Sequence, residues 1–525
     1  MPEQSGAWPL RLRGHAGPVL AVMVWVAGLH AVVIARAEVA SRDSIGFIRY
    51  ALHLETPPPD WHDPDQPGRQ LTRAEVIQRA EHPPGYPLAV LVASWPLRAW
   101  MGGVHCDSMV LACQLASSIA GVWLVVPIYL LGLWLHGRTV GLSAALVFSS
   151  LPVAAQVTSD GLADGLYLFW LACALAGCVW GLRQRSWPGF ALGGLATALA
   201  YWTRPEALML PVAVLIVLAG LGLRRTWPAR LAATLAVVYL ATTLAVASPY
   251  VWLIGGLTNK PTPRGLLDGQ PPSIPGHSQA TPRVGGGLWA VWFQQRDLGT
   301  VTVKLSGELL KTTNYVLLPL GLAGFWLSRR RLSEPAPMLL VVLGGINLAL
   351  LWRLGSVMGY ASERHFLLVA LILTIWAMVA VMRLTEAGWA GTQYGRMARL
   401  AGLAGLAGLV LLGMPSLLKP MHANRAGHHA AGRWLAANAP ADAVIYDPFC
   451  WSHFYAGRVF REDEPPPATP PHITYVVVEQ STNQHSRLPM LPIAREVARH
   501  GQVVYAWPEN RPIEQAVVLV ARVEH

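Results

Sequence analysis

The stretch Pro84-Gly85-Tyr86-Pro87-Leu88-Ala89-Val90-Leu91-Val92-Ala93-Ser94-Trp95-Pro96-Leu97-Arg98-Ala99-Trp100-Met101 decides how this chain folds. As a helix rising ~1.5 Å per residue it reaches about 27 Å, against a hydrocarbon core of ~30 Å. Pro87 and Pro96 interrupt it, and each removes a backbone donor. Its length leaves it on the margin between a membrane span and a surface helix. The charges elsewhere in the chain decide between the two.

Long apolar runs read as spanning helices at 17–36, 108–135, 139–157, 164–182, 188–203, 206–223, 230–254, 313–328, 336–353, 365–383 and 398–418. Between them, short loops carry His136-Gly137-Arg138, Arg183-Gln184-Arg185, Arg224-Arg225 with Arg230, and Arg329-Arg330-Arg331, and a later one carries Arg383, Arg396 and Arg399. If Pro84–Met101 lies along the outer surface, eleven spans result and all these cationic loops share the cytoplasmic side with Arg11 and Arg13. If it crosses, every later loop changes side and disagrees with the N-terminus. The preference for Lys and Arg on the cytoplasmic side favours eleven. Twelve spans with a frustrated N-terminus is the alternative.

Composition agrees with a polytopic membrane body. Hydrophobic residues make up 53% of 525 and charged residues 13%, where a soluble domain carries about 25% charged. Trp134, Trp187, Trp202, Trp227 and Trp252 sit at the ends of apolar runs, where an amphipathic ring prefers the headgroup layer. The net charge of +11 comes from loop arginines that orient helices and meet anionic membrane lipids, so nucleic acid is not expected as a partner. Five Cys, four of them in or beside apolar runs, do not make a disulfide framework. Ala35-Arg36-Ala37 looks like a signal-peptidase site, but cleavage there would cost the protein its first helix.

Eleven spans place the loop 37–107, the turns at Thr158–Asp164 and Thr203–Glu206, the loop 255–312, the loop 354–364 and the chain after Pro420 on one outer side. The acids and polar clusters collect there, and such a one-sided collection in an apolar chain reads as a site. The loop 255–312, rich in Gly and Pro, is expected to be mobile. Residues 1–420 form the membrane domain. Residues 421–525 read as a small α/β domain, with strands at Val444–Tyr446, Ile473–Val478, Val503–Trp507 and Ala516–Val520 and helices at His428–Ala437 and Pro492–His500.

Asp43, in Ser41-Arg42-Asp43-Ser44, sits near the outer membrane edge, as a general base or as an ion-pair partner of a neighbouring Arg. His82-Pro83-Pro84 opens the surface helix, and His82 either binds a ligand or caps. Asp160 and Asp164 stand four apart and on a helix would share a face, with Asp164 the deeper. The turn Tyr201–Glu206 brings Arg204, which can grip a phosphate, and Glu206, which can pair with it or cap the next helix. Tyr360-Ala361-Ser362-Glu363-Arg364-His365 supplies Tyr360, Glu363 and a second Arg, Arg364. Two Arg with several acids on one face suit a substrate whose phosphate leaves while a hydroxyl is deprotonated. Lys260, Arg264, Lys304 and Lys311 could add to that phosphate grip, although loop cations are usually just solvated. The tail histidines lack metal-ligand spacing, and no Walker-type loop indicates an ATP-driven pump.

Taken in order, these segments resemble the membrane glycosyltransferases of the GT-C class. The most similar branch groups RgtA/B/C/D-like enzymes, aminoarabinose transferase and protein O-mannosyltransferases. The likeness rests on Asp43 in the first outer loop, His82-Pro83-Pro84, Asp164 or else Asp160 in the next acid position, Gly194-Leu195-Ala196 through Arg204-Pro205-Glu206, Glu363-Arg364-His365, and the post-membrane stretches Arg433–Pro440 and Phe454–Arg458. Many relatives carry Asp-Glu at the first position, whereas Ser44 follows Asp43 here.

The resemblance implies a mainly α, GT-C-like bundle of about eleven spans in the inner cell membrane, with its active site and C-terminal α/β domain outside. It implies an inverting transfer from a polyprenyl-phosphate sugar to a lipid, glycan or protein hydroxyl. In that scheme Asp43 is the base, Arg204 and Arg364 hold the leaving phosphate, and Asp164 orients acceptor or sugar. A divalent metal ion is left open. The alternatives are a transporter or flippase of a lipid-linked glycan, or a non-catalytic envelope assembly protein.

Overall fold

The computed structural model describes residues 13–60, 65–260, 298–358, 361–386, 394–458, 473–480 and 490–524. Tyr360, Arg264, Arg11, His472, His485 and the Gly/Pro-rich part of the 255–312 loop lie outside the described residues.

The chain enters through α1 (Arg13–Ala35), then runs through α2 (Arg42–Glu55), α3 (Arg73–Arg79) and α4 (Gly85–Met101) before α5 (Cys106–His136). The Arg138 side chain, just after α5, donates to the carbonyl of Gly14 at the start of α1 at 2.7 Å. The far end of α5 therefore lies beside the near end of α1, so α4 does not cross between them. Helix α4 instead buries Tyr86, Val90 and Leu91 with residues of α2 and α5, while Leu88, Val92, Trp95 and Trp100 are exposed. An apolar outer face suits a helix lying against lipid. Pro96 does not break it, contrary to the sequence reading.

The bundle continues with α6 (Arg138–Ser150), α7 (Pro152–Val157), α8 (Ala163–Gln184), α9 (Trp187–Tyr201), α10 (Met209–Leu223) and α11 (Ala229–Ile254). After the loop come α12 (Leu298–Thr312), α13 (Leu317–Leu327), α14 (Pro335–Met358), α15 (Leu367–Glu386), α16 (Tyr394–Leu411) and α17 (Met414–Leu417). One continuous apolar core joins α5 through α11 with α13, α14 and α15.

Among the described residues, eight helices are long and apolar enough to cross a membrane, three fewer than the eleven expected. Each exception has a local cause. The run 139–157 is divided at Leu151, which is extended (ψ 133) before Pro152, as the residue preceding a proline usually is. The run 188–203 gives only the 15-residue α9, which begins at Trp187-Pro188. The run 313–328 starts late because Asn314 and Tyr315 both take positive φ, leaving the 11-residue α13. The loop 255–312 is also not wholly irregular. Its last 15 residues form α12, whose Val301 and Leu305 pack with Leu351 and Phe366.

The arginine-bearing turns gather at one end, with the Arg183 side chain on the Trp134 carbonyl and His136 in electrostatic range of Arg183, Arg331 and Arg383. The opposite end carries α2, α4 and the C-terminal segment. There α18 (Ala426–Asn438), α19 (Trp451–Tyr455) and α20 (Met490–Arg499) accompany a four-stranded sheet. A hairpin of β1 (Pro59–Asp60) and β2 (Arg69–Gln70) precedes it in the chain, and the sheet itself is β3 (Val444–Tyr446), β4 (Ile473–Glu479), β5 (Gln502–Trp507) and β6 (Val518–Glu524). Its order is β3-β4-β6-β5, with β3 and β4 parallel and the other pairs antiparallel. The protein is thus a mainly α multi-pass membrane bundle with a small C-terminal sheet.

Candidate active site

Helix α2 begins with Ser41, whose side chain accepts from the Ser44 N–H, so Asp43 lies in the first turn where the helix dipole favours an anion. Arg364 Nη1 donates to Asp43 Oδ2 at 2.7 Å. Arg364 comes from the single turn Glu363–Phe366 that leads into α15. Burial pushes the Asp43 carboxyl up, but Arg364, with His82 and Arg204 further away, outweighs it and leaves the carboxyl below its usual range.

A second ion-pair group lies beside the first. Asp164 is the acid in the first turn of α8 and is buried, and its Oδ1 accepts from Arg204 Nη1. The same guanidinium reaches Glu206 Oε1 at 3.0 Å and lies over the Tyr167 ring at 5.7 Å. Lys260 Nζ stands 3.4 Å from Glu206 Oε1. Burial lowers the Lys260 amine despite that carboxylate. Arg364 lies in the field of both Asp43 and Asp164, which ties the two groups together.

The two groups differ in access. The Arg204 and Asp164 side chains are 12% and 7% exposed, whereas Arg364 and Asp43 are 28% and 44% exposed. Three carboxylates (Asp43, Asp164, Glu206) face three cations (Arg364, Arg204, Lys260), so the cluster is balanced as it stands. Of the two guanidiniums, Arg364 is the more open.

Other expected residues are distributed differently. The His82 ring packs tilted against Phe47 of α2 with centroids 5.0 Å apart, and burial brings its imidazole down to about 4, so it is neutral beside the acids. Asp160 does not share a helical face with Asp164. It lies in the turn before α8, next to Gly161, whose φ of +71 a side chain would strain. Asp160 bonds through both oxygens to His422 Nε2, at 3.0 and 2.9 Å. Glu363 faces away from the cluster, toward Lys311 at 4.0 Å.

Ser44 joins the two acid-bearing loops. Its hydroxyl donates to the carbonyls of Asp160 (3.1 Å) and Gly161 (2.9 Å), and Ser41 Oγ lies 2.6 Å from it. Behind this loop, Cys113 Sγ bonds to Gly161 O and Ser117 Oγ to Leu162 O, with Tyr86 hydroxyl 2.7 Å from Ser117 Oγ. Gly85 packs its backbone on Trp202, where a Cβ would meet the Trp202 carbonyl at 2.6 Å, so α4 starts level with the Arg204 turn.

Sequence reasoning missed Ser44 and His422, and named Lys260 only as a loop cation that could add to the phosphate grip. Lys260 and His422 give no spacing signal, while Ser44 was visible only as a departure from an acid pair. Among the described residues no three His, Cys, Asp or Glu side chains group as a metal-binding set.

No protein-family model and no curated protein sequence matches the chain. Solved structures do. The oligosaccharyltransferase AglB of Archaeoglobus fulgidus, in complex with an inhibitory peptide and a dolichol-phosphate, aligns at TM-score 0.59 and 14% identity over 99% of this chain and 75% of its own. ArnT of Cupriavidus metallidurans in the apo state aligns at TM-score 0.57 and 13% identity over 97% of this chain and 98% of its own. ArnT bound to undecaprenyl phosphate aligns at 0.52 with the same identity and coverage. At this identity the likeness establishes the fold: the chain has the architecture of GT-C glycosyltransferases.

Proposed function

We propose that the protein is an inverting glycosyltransferase that moves a sugar from a polyprenyl-phosphate donor to an acceptor hydroxyl at the outer face of the membrane. The observation that carries the reading is the open Asp43–Arg364 pair set beside the more enclosed Asp164–Arg204 pair, with Glu206 at its rim, at one end of the bundle. The structural relatives bind a dolichol-phosphate in one case and undecaprenyl phosphate in the other, which supports a lipid phosphate as the ligand of those arginines.

The donor phosphate engages Arg364 first and draws its guanidinium from Asp43. Losing its nearest cation makes the Asp43 carboxylate a stronger base where the acceptor hydroxyl arrives. Asp43 takes the hydroxyl proton while the oxygen bonds to the anomeric carbon from the side opposite the phosphate. The carbon–oxygen bond to phosphate breaks, and its electron pair leaves on polyprenyl phosphate, held by Arg364 and the field of Arg204. Asp164, fixed by Arg204, orients sugar or acceptor. The acceptor is a lipid, glycan or protein hydroxyl.

A divalent ion does not fit the donor set as it stands. Asp43 and Asp164 each face an arginine, Asp160 faces the His422 imidazole, and Ser44 occupies the place of a second adjacent acid.

Purified protein given a polyprenyl-phosphate sugar should release polyprenyl phosphate. Asp43→Asn should cut release by about 10²- to 10⁴-fold while donor binding persists. Normal turnover by Asp43→Asn would remove the base assignment, and movement of intact donor across vesicles without cleavage would favour a flippase.

A further inference from the structure

The C-terminal segment is bonded to both acid-bearing loops. His422, a non-glycine residue at φ +55, turns its imidazole onto Asp160 and donates from Nε2 to both carboxylate oxygens. Its neighbour Met421 pairs with Ala37, and the Glu38 N–H donates to the Met421 carbonyl at 3.1 Å. Further along, α19 grips Ala40 from both sides. The Ala40 N–H donates to Tyr455 hydroxyl at 2.8 Å, and Trp451 Nε1 donates to the Ala40 carbonyl at 2.8 Å. Ala40 is three residues before Asp43. Phe449, Trp451 and Phe454 are buried in the same apolar cluster as Ile45, Phe47 and Ile48 of α2.

We infer that the C-terminal segment is part of the catalytic unit, with His422 as a positioning residue that orients Asp160 and, through it, Asp43. The inference rests on the glycosyltransferase reading above. The physical route is short. The Asp160 side chain is 8% exposed, so a carboxylate there needs a hydrogen-bonded partner to hold one orientation. His422 supplies it. The Asp160 main-chain carbonyl is in turn an acceptor of Ser44, which adjoins Asp43. Losing the imidazole therefore loosens the 158–162 turn and with it the first turn of α2. Left-handed backbone at a residue with a side chain is uncommon, and here it is what aims the ring at the acid.

Two variants separate positioning from folding. His422→Ala removes the donor, while His422→Gln keeps an amide N–H that can reach one Asp160 oxygen. With the full-length protein in detergent and a polyprenyl-phosphate sugar, His422→Ala should lower kcat by roughly 10- to 100-fold, the scale of an ~1 Å misplacement. KM should change little, and His422→Gln should recover most of the loss. Hydrogen exchange gives a readout independent of turnover: peptides covering 38–46 and 156–164 should exchange faster in His422→Ala, with the core helices unchanged. Unaltered exchange in both peptides, or folded His422→Ala turning over within about twofold of the parent, overturns the inference. If the parent protein shows no transfer, the glycosyltransferase reading fails on its own, and the exchange result still decides whether His422 holds the two loops.

Discussion

Arg364 Nη1 stands 2.7 Å from Asp43 Oδ2, across 321 residues of chain, and this is the more open of the two ion-pair groups at the site. The pairing makes the carboxylate a weak base at rest and ties its strength to whatever else claims the guanidinium. Under the proposed function, a phosphate that takes Arg364 would both enter the site and release the base.

That coupling has a pH signature. Asp43 must be ionised to accept a proton, so kcat/KM of the free enzyme falls as pH drops through its pKa. Arg364 holds that pKa below the ordinary range. Arg364→Ala should therefore move the acid limb of the profile to higher pH. Asp43→Asn should cost about 10²- to 10⁴-fold in turnover above that acid limb, and the deficit should shrink as pH falls below it. A depressed carboxylate also adds stability that is present above its unfolded pKa and lost as pH falls through the folded one. Arg364→Ala should remove that small contribution. An acid limb that stays in place in Arg364→Ala would separate Asp43 from the rate.

Arg204 should behave differently under the same substitution. It is nearly buried between Asp164 and Glu206. Arg204→Ala strands Asp164 without its cation in a desolvated place, a loss on the order of 3–5 kcal/mol. The more exposed pair of Arg364 and Asp43 is worth about 0–1 kcal/mol. Thermal unfolding in detergent should show Arg204→Ala clearly less stable than Arg364→Ala. Equal melting temperatures would mean that the buried group does not bear on stability.

What could be read from sequence follows from how local the signal is. Apolar runs and loop arginines are local, and they placed Pro84–Met101 off the span count, as the Arg138–Gly14 bond bears out. The β-branched runs of the C-terminal region likewise gave its four strands within a few residues. Helix ends were less legible, since Leu151 before Pro152 and the positive φ of Asn314 and Tyr315 cut runs that hydropathy alone reads as continuous. The common location of Asp43, Asp164, Arg204 and Arg364 followed from topology. Their partners did not. Asp160 finds His422 262 residues away, and no periodicity or spacing announces such a pair.

Ser44 is the instructive departure. Its hydroxyl is buried and donates to two backbone carbonyls. Ser44→Ala should cost about 0.5–1.5 kcal/mol, the loss of one such donor. Ser44→Glu, which sets a second acid beside Asp43, should be worse. It drives a carboxylate against carbonyl oxygens in a filled space, where overpacking alone costs about 1–3 kcal/mol. Melting temperatures in the order parent, Ser44→Ala, Ser44→Glu are expected. A Ser44→Glu protein as stable as its parent would mean that the loop can open to admit a second acid.

The two-ended distribution of charge can be tested on the intact membrane. Arg330 is exposed in the turn after α13, at the end where Arg138 meets Gly14. Lys304 is exposed on α12, which packs on the Glu363–Phe366 turn at the site end. The five cysteines are free, so labelling needs a background in which they are replaced by Ala. Arg330→Cys and Lys304→Cys should then react with a membrane-impermeant maleimide from opposite sides, Lys304→Cys from outside. That result places the Asp43–Arg364 pair where a lipid-linked donor displays its head group. Reaction of both from the same side would mean that α13, only 11 residues long, fails to cross, and the span count after α11 would have to be redrawn.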